Sequence, residues 1–151
     1  IVMACNTIHV YRDQLISQSW YKDILSLSEI VSEYFQNITD DIAILWTPIT
    51  TTCWLYTFDN CNYDNPSIEN LNKIWEVVNS YNATWDTKNN LEVLENIIDI
   101  HKSNGTKYYV AACTEISELL RNYDDESIII IDTLELLISK VLQKIIKTKK
   151  R

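Results

Sequence analysis

Two rhythms of apolar and polar positions run along the chain. Three short apolar runs, Ile42-Ala43-Ile44-Leu45-Trp46, residues 107–112 and Ser127–Ile131, read as strands of a sheet buried on both faces. Residues 1–4 read as the end of another buried strand, and Asp23–Ser26 as a short one. Between these runs, apolar residues recur three and four positions apart, the spacing of a single helix face. His9 to Ser17 carries Val10, Leu15 and Ile16, and Ser28 to Phe35 carries Ile30, Val31, Tyr34 and Phe35. Trp54, Leu55, Tyr56 and Phe58 suggest a further helix. Ser67 caps a helix that runs to about Tyr81. Leu91, Val93, Leu94, Ile97 and Ile98 mark the next, which stops at Asn104-Gly105. A helix over 116–121 follows, and a last one is opened by Asp132 or Thr133 and faced by Leu136, Leu137, Val141, Ile145 and Ile146. Thr47–Thr52 reads as a hydroxyl-rich turn, and Asp59–Pro66 and Asn82–Asn90 as loops. Strand and helix alternate throughout, so the predicted class is α/β with a mainly parallel sheet and flanking helices.

Composition narrows the partners. A net charge of −8 argues against nucleic acid, because phosphate binding needs a basic surface. The clustered bases Lys144, Lys147, Lys149, Lys150 and Arg151 instead suit the negative end of the last helix. No apolar run approaches the roughly 20 residues of a membrane span, so a membrane is not an expected partner. Four cysteines in a chain neither short nor otherwise rich in cysteine read as free thiols in a reducing, cytoplasmic compartment.

Two of those cysteines sit at the tips of strand-to-helix turns. Tyr108-Tyr109-Val110-Ala111-Ala112-Cys113-Thr114-Glu115 runs from a strand into a helix, and Ile1-Val2-Met3-Ala4-Cys5-Asn6-Thr7 precedes Ile8-His9-Val10 in the same way. The carboxyl ends of parallel strands face the ligand crevice of open α/β sheets. Free N–H groups of the following helix are expected to lower a thiol's pKa there. Cys5, His9, Cys113 and Glu115 are metal-ligand residue types, but they lack paired ligand spacing, so no metal site is predicted. Cys53 and Cys61 lie in no motif and read as structural.

The ordered set of motifs resembles the aspartate/glutamate racemase family. Ala4-Cys5-Asn6-Thr7-Ile8-His9 is similar to its Cys-Asn-Thr-x-His motif, and Ala112-Cys113-Thr114-Glu115 to its Gly-Cys-Thr-Glu motif. Leu45-Trp46-Thr47 and Thr50, with Tyr56 beyond, resemble its Thr-x-x-Thr turn, and Ile131-Asp132-Thr133 the segment that opens its final helix. Glu115 where glutamate racemases usually have His, together with His9, is similar to the aspartate branch. Ala112 and Ile49 stand where the family has Gly, and the β-branched Ile49 is expected to narrow its turn.

The resemblance implies two facing α/β lobes, each supplying one cysteine. Residues 1–38 would be the remnant of the first lobe, with the final helix 132–149 returning to it, and 40–122 the second lobe. Most of the first lobe would lie before Ile1, and little turnover is expected of the 151 residues alone. The implied activity is interconversion of L- and D-amino acids, aspartate foremost, without pyridoxal phosphate or metal; neither motif holds a lysine for a Schiff base. Cys5 and Cys113 would act as the two bases, one accepting the Cα proton as the other donates. Asn6, Thr7, Thr47, Thr50, Thr114 and Glu115 would bind substrate, with His9 in support. A small-molecule amino acid is the expected partner; a homodimer is compatible with the resemblance, and the sequence does not select the oligomeric state. The alternatives are a catalytically silent or truncated amino-acid-binding relative and a hydantoin racemase-type member; a decarboxylase of this superfamily typically keeps one cysteine, against two here.

Overall fold

The structure, a computed structural model, describes residues 1–20, 24–53, 55–58 and 60–149. A 3-10 turn at Thr7–Tyr11 leads into α1 (Arg12–Gln18), followed by α2 (Leu27–Phe35), β1 (Asp41–Leu45), α3 (Pro48–Thr52) and β2 (Asn62–Tyr63). Then come α4 (Ile68–Thr84), α5 (Thr87–Ser103), β3 (Tyr108–Ala111), α6 (Thr114–Leu120), β4 (Ile129–Asp132) and α7 (Thr133–Lys149). The strands form one parallel sheet in the order β2-β1-β3-β4. The α/β class and parallel sheet are those predicted.

The period-two alternation of β1 continues into the next residue and divides the core. Ile42, Ile44 and Trp46 face the layer of Leu27, Val31, Phe35 and Leu137. Ala43 and Leu45 face Ile74, Val77, Leu94, Ile97 and Ile116 from α4, α5 and α6. Burial of both faces is why the strands read as continuous apolar runs rather than as alternating ones. Among the described residues no helix is long and apolar enough to cross a membrane.

Several local expectations change. Residues 1–4 form no strand: Ile1 and Val2 are about half exposed, and one backbone link runs from Leu25 N–H to Ile1 O at 3.2 Å. A buried strand needs a ladder partner and cover on both faces, and the described residues supply neither. The predicted strand at Asp23–Ser26 and the helix from Trp54 both begin outside the described residues. Of their remainders, Ile24 and Leu25 are irregular, and Ser26 caps α2 through Glu29 N–H at 3.2 Å. Leu55–Phe58 is not helical; Tyr56 and Phe58 are buried in alternation, and Phe58 is stacked between Phe35 and Tyr63. Asp59–Pro66 contains the two-residue strand β2, too short to carry a periodic signal.

The predicted loop Asn82–Asn90 shrinks to Trp85 and Asp86. Trp85 ends α4 in the left-handed region (φ 57°), its N–H on Tyr81 O at 2.8 Å, and Asp86 caps α5 through Asn89 N–H at 3.1 Å. The polar residues there are solvated helix ends, indistinguishable in composition from a loop. At the other end of α5, Gly105 takes φ 95°, and an added Cβ would meet nothing within 4 Å. Gly105→Ala therefore meets backbone strain without a clash, and a stability loss of about 1–2 kcal/mol is expected from urea denaturation.

Candidate active site

β1 leads outward to β2 and β3 leads outward to β4, so the order reverses between the neighbours β1 and β3. Such a reversal opens a crevice at the carboxyl ends of the strands. The register sets Leu45, Ala111 and Asp132 side by side, so the turns after β1, β3 and β4 leave the sheet at one level. There a cavity of about 230 Å3 is lined by Cys5, Asn6 and Thr7, by Thr47, by Cys113, Thr114 and Glu115, and by Trp75, Val78, Asn79 and Asn82 of α4. The two Cys turns, 108 positions apart in the chain (113 − 5), thus meet at one space.

The Cys113 side is closed by hydrogen bonds to one carboxylate. The Cys113 thiol donates to Glu115 Oε2 at 2.8 Å, and the Thr114 hydroxyl donates to the same oxygen at 2.8 Å. Asn82 Nδ2 donates to Oε1 at 3.0 Å. Burial pushes the thiol up to about 12, and the hydrogen bond to Glu115 and its charge push the same way; the N–H groups of Glu115 and Ile116 pull downward. The direction is opposite to the lowered pKa expected from the sequence. The helix N–H groups act as predicted, but desolvation and an adjacent carboxylate outweigh them. Burial would raise Glu115 too, yet the donors Cys113, Asn82 and Thr114 together hold it below the ordinary carboxyl value.

The Cys5 side is anchored from beneath. Asn6 is buried; its Nδ2 donates to Thr133 Oγ1 at 3.1 Å, and its Oδ1 accepts from the Tyr56 hydroxyl. The Thr133 hydroxyl donates to Ala111 O at 2.9 Å, tying the segment to the end of β3. Asn6 therefore positions Cys5, with one amide N–H left beyond its bond to Thr133. His9 serves the same segment from outside the cavity. Its Nε2–H donates to Met3 O at 2.8 Å and its Nδ1 accepts from Leu27 N–H at 3.4 Å, while burial lowers its pKa and keeps the ring neutral. Cys5 itself is exposed.

Hydroxyls complete the wall. Thr50 Oγ1 lies 3.0 Å from Thr47 Oγ1 and 3.3 Å from Thr7 Oγ1, so it links two lining threonines from behind without facing the cavity. Ile49 does not line the cavity; its half-exposed side chain lies in the first turn of α3, so the expected narrowing is absent. Ala112 is fully buried and donates to Leu45 O at 3.0 Å, an ordinary backbone link that no glycine is needed to make.

The α4 face escaped the sequence reading. Trp75, Val78, Asn79 and Asn82 recur at helical spacing, which was a usable signal, but assigning Asn82 to a loop cut the face short. The role of Tyr56 and Thr133 as anchors of Asn6 was equally hidden, since the contact spans 127 positions for Thr133. Cys61 lies away from the cavity and donates to Ile38 O at 3.1 Å, and Cys53 ends α3. No disulfide joins the four cysteines. Among the described residues no group of three or more His, Cys, Asp or Glu is arranged to hold a metal ion.

No protein-family model matches the chain, and no curated protein does. A solved structure does: the crystal structure of an aspartate racemase homologue from Pyrococcus horikoshii OT3 superposes with a TM-score of 0.74 at 21% sequence identity. The match takes in 95% of this chain and 65% of that protein, so the chain spans less than two thirds of its neighbour's length. At this identity the likeness establishes architecture: the chain has the parallel α/β fold of an aspartate racemase homologue.

Proposed function

We propose that the chain carries a cofactor-independent amino-acid racemase site in which Cys5 and Cys113 are the two bases. The observation that carries this reading is that both cysteines, from turns far apart in the chain, line one cavity walled by threonine hydroxyls. The Cα proton of an amino acid is weakly acidic, so its removal needs a base on one side, an acid on the other and hydrogen-bond donors at the carboxylate. Thr7 and Thr47 supply hydroxyls oriented by Thr50, while Thr114 lines the same wall with its proton given to Glu115. The C–H pair passes to the carboxylate as one thiolate takes the proton, and the other thiol then returns a proton to the opposite face. Aspartate is the first substrate to try, on the motif resemblance and on the description of the structural neighbour. On the same reading residues 1–38 and 132–149 belong with a first lobe and 40–122 with a second.

A second reading is a silent amino-acid-binding relative, favoured by one observation: the Cys113 thiol is buried and donates to the Glu115 carboxylate at 2.8 Å, surroundings that oppose its ionisation. Exchange of the Cα proton separates the two. L- and D-aspartate, and a panel of other amino acids, are incubated in D2O with a form of the protein in which both lobes are complete, and followed by NMR. The expected result is deuterium at Cα from both enantiomers, blocked by prior alkylation of the thiols. Binding by calorimetry with no exchange above a protein-free control would reject the racemase reading in favour of the silent one.

A further inference from the structure

The contact between Cys113 and Glu115 assigns separate roles to the two thiols. We propose that Glu115 is a positioning residue that keeps the proton on Cys113, so that the resting site holds Cys113 as its acid and Cys5 as its base. The geometry is specific. Glu115 Oε2 accepts from Cys113 at 2.8 Å and from Thr114 at 2.8 Å, while Asn82 of α4 holds Oε1 at 3.0 Å and fixes the carboxylate's orientation. A thiol that donates to a carboxylate must give up that bond, and place two negative charges side by side, to ionise. Cys5 is exposed, and among the described residues no carboxylate accepts a hydrogen bond from it.

Other charges do not alter the balance. Cys5, Cys113 and Glu115 are the titratable groups that line the cavity; α4 presents Trp75, Val78, Asn79 and Asn82, and the β1–α3 turn presents Thr47. Of the remaining elements packed on α6, the β4–α7 junction directs Asp132 at Ser117, whose hydroxyl donates to it at 2.8 Å. The charge acting on Cys113 is that of Glu115.

The proton balance of a turnover follows from this assignment, which rests on the two-thiol reading. The Cα–H bond breaks and its proton passes to the Cys5 thiolate, leaving the electron pair on substrate. The Cys113 S–H bond then breaks toward the opposite face of Cα. The site is left with Cys5 as thiol and Cys113 as thiolate, and proton exchange with solvent restores the resting form. The carboxylate of Glu115 favours that return because it accepts from Cys113 only when the thiol is protonated.

The test is the rate of iodoacetamide labelling at each cysteine, read by peptide mass spectrometry across pH 7–10, for the wild-type chain, Glu115→Gln and Asn82→Ala. Labelling reports thiolate and needs no substrate or turnover, so its outcome is independent of whether the chain racemises anything. In Glu115→Gln the Cys113 rate at pH 8 is expected to rise about tenfold or more, the effect of a one-unit fall in pKa on the thiolate fraction. Its pH profile should move to lower pH while Cys5 is unchanged. Asn82→Ala, which loosens the carboxylate but leaves its charge, should stay within about threefold of wild type. Circular dichroism confirms that each variant is folded. A wild-type Cys113 rate in Glu115→Gln overturns the proposal. So does an equal acceleration in both variants with no shift of the pH profile, which would mean that Glu115 only blocks access.

Discussion

Cys5→Ser and Cys113→Ser are each expected to lower racemisation by about 10²- to 10⁴-fold, the range lost when a positioned acid–base group is removed. Serine keeps nearly the size of cysteine, but its hydroxyl is far too weak an acid to share a proton with a carbanion at neutral pH. The two losses should differ in kind. Each variant retains one thiol, and that thiol should still exchange the Cα proton of one enantiomer with solvent deuterium. The two variants are therefore expected to label opposite enantiomers of aspartate in D2O, with Cys113→Ser, which retains Cys5, the faster of the two because Glu115 keeps the proton on Cys113 in Cys5→Ser. Cys113→Ser also removes a donor from Glu115 Oε2, where Thr114 remains. Cys53→Ser and Cys61→Ser should racemise normally, since one residue ends α3 and the other bonds to Ile38 O outside the cavity. Near-normal racemisation by Cys113→Ser would eliminate the two-base mechanism.

Thr133→Val is expected to cost about 1–3 kcal/mol of stability and to depress racemisation in the same variant. Thr133 is fully buried at the start of α7, accepting from Asn6 Nδ2 at 3.1 Å and donating to Ala111 O at 2.9 Å. Valine fills the space but leaves the Asn6 amide N–H and the Ala111 carbonyl unpartnered in a dry setting, and a buried polar group without its partner costs that much. The second effect follows from what Asn6 does. Its other end accepts from Tyr56, whose hydroxyl burial pushes far above its ordinary pKa, so that Tyr56 remains a donor throughout the neutral range. Without Thr133 the segment carrying Cys5 keeps that one side-chain tie at Asn6. Thr133→Ser preserves the hydroxyl and should stay within about 1 kcal/mol of wild type. The readouts are urea denaturation and the deuterium exchange rate for all three proteins; equal stability of the valine and serine variants would show that the hydroxyl network is not what holds the segment.

Much of the architecture was legible because it is written in local chemistry. The β1 and β3 runs and the β4 segment announce buried strands through consecutive apolar residues, and the caps Ser67 and Asp132 sit where a polar oxygen must meet free helix N–H groups. Where local signals misled, the deciding partner was remote or the element too short. The Asn82–Asn90 stretch is polar whether it is a loop or two solvated helix ends. Residues 1–4 are apolar whether or not a neighbouring strand exists to pair with them.

The sequence by itself determined that Cys113 stands at a strand-to-helix turn within a parallel α/β chain and that Cys5 opens a helical turn, because the apolar run, the cysteine and the start of the following helix are contained in eight or ten consecutive residues. Only the tertiary structure decided the state of those thiols. An exposed Cys5 and a buried Cys113 differ through desolvation and through one carboxylate held by Asn82, a residue 33 positions from Glu115 on another helix. A thiol's acidity is a free-energy difference between its charged and neutral forms. That difference is set by the dielectric and the donors around the sulfur, and these are assembled by packing rather than carried by the motif.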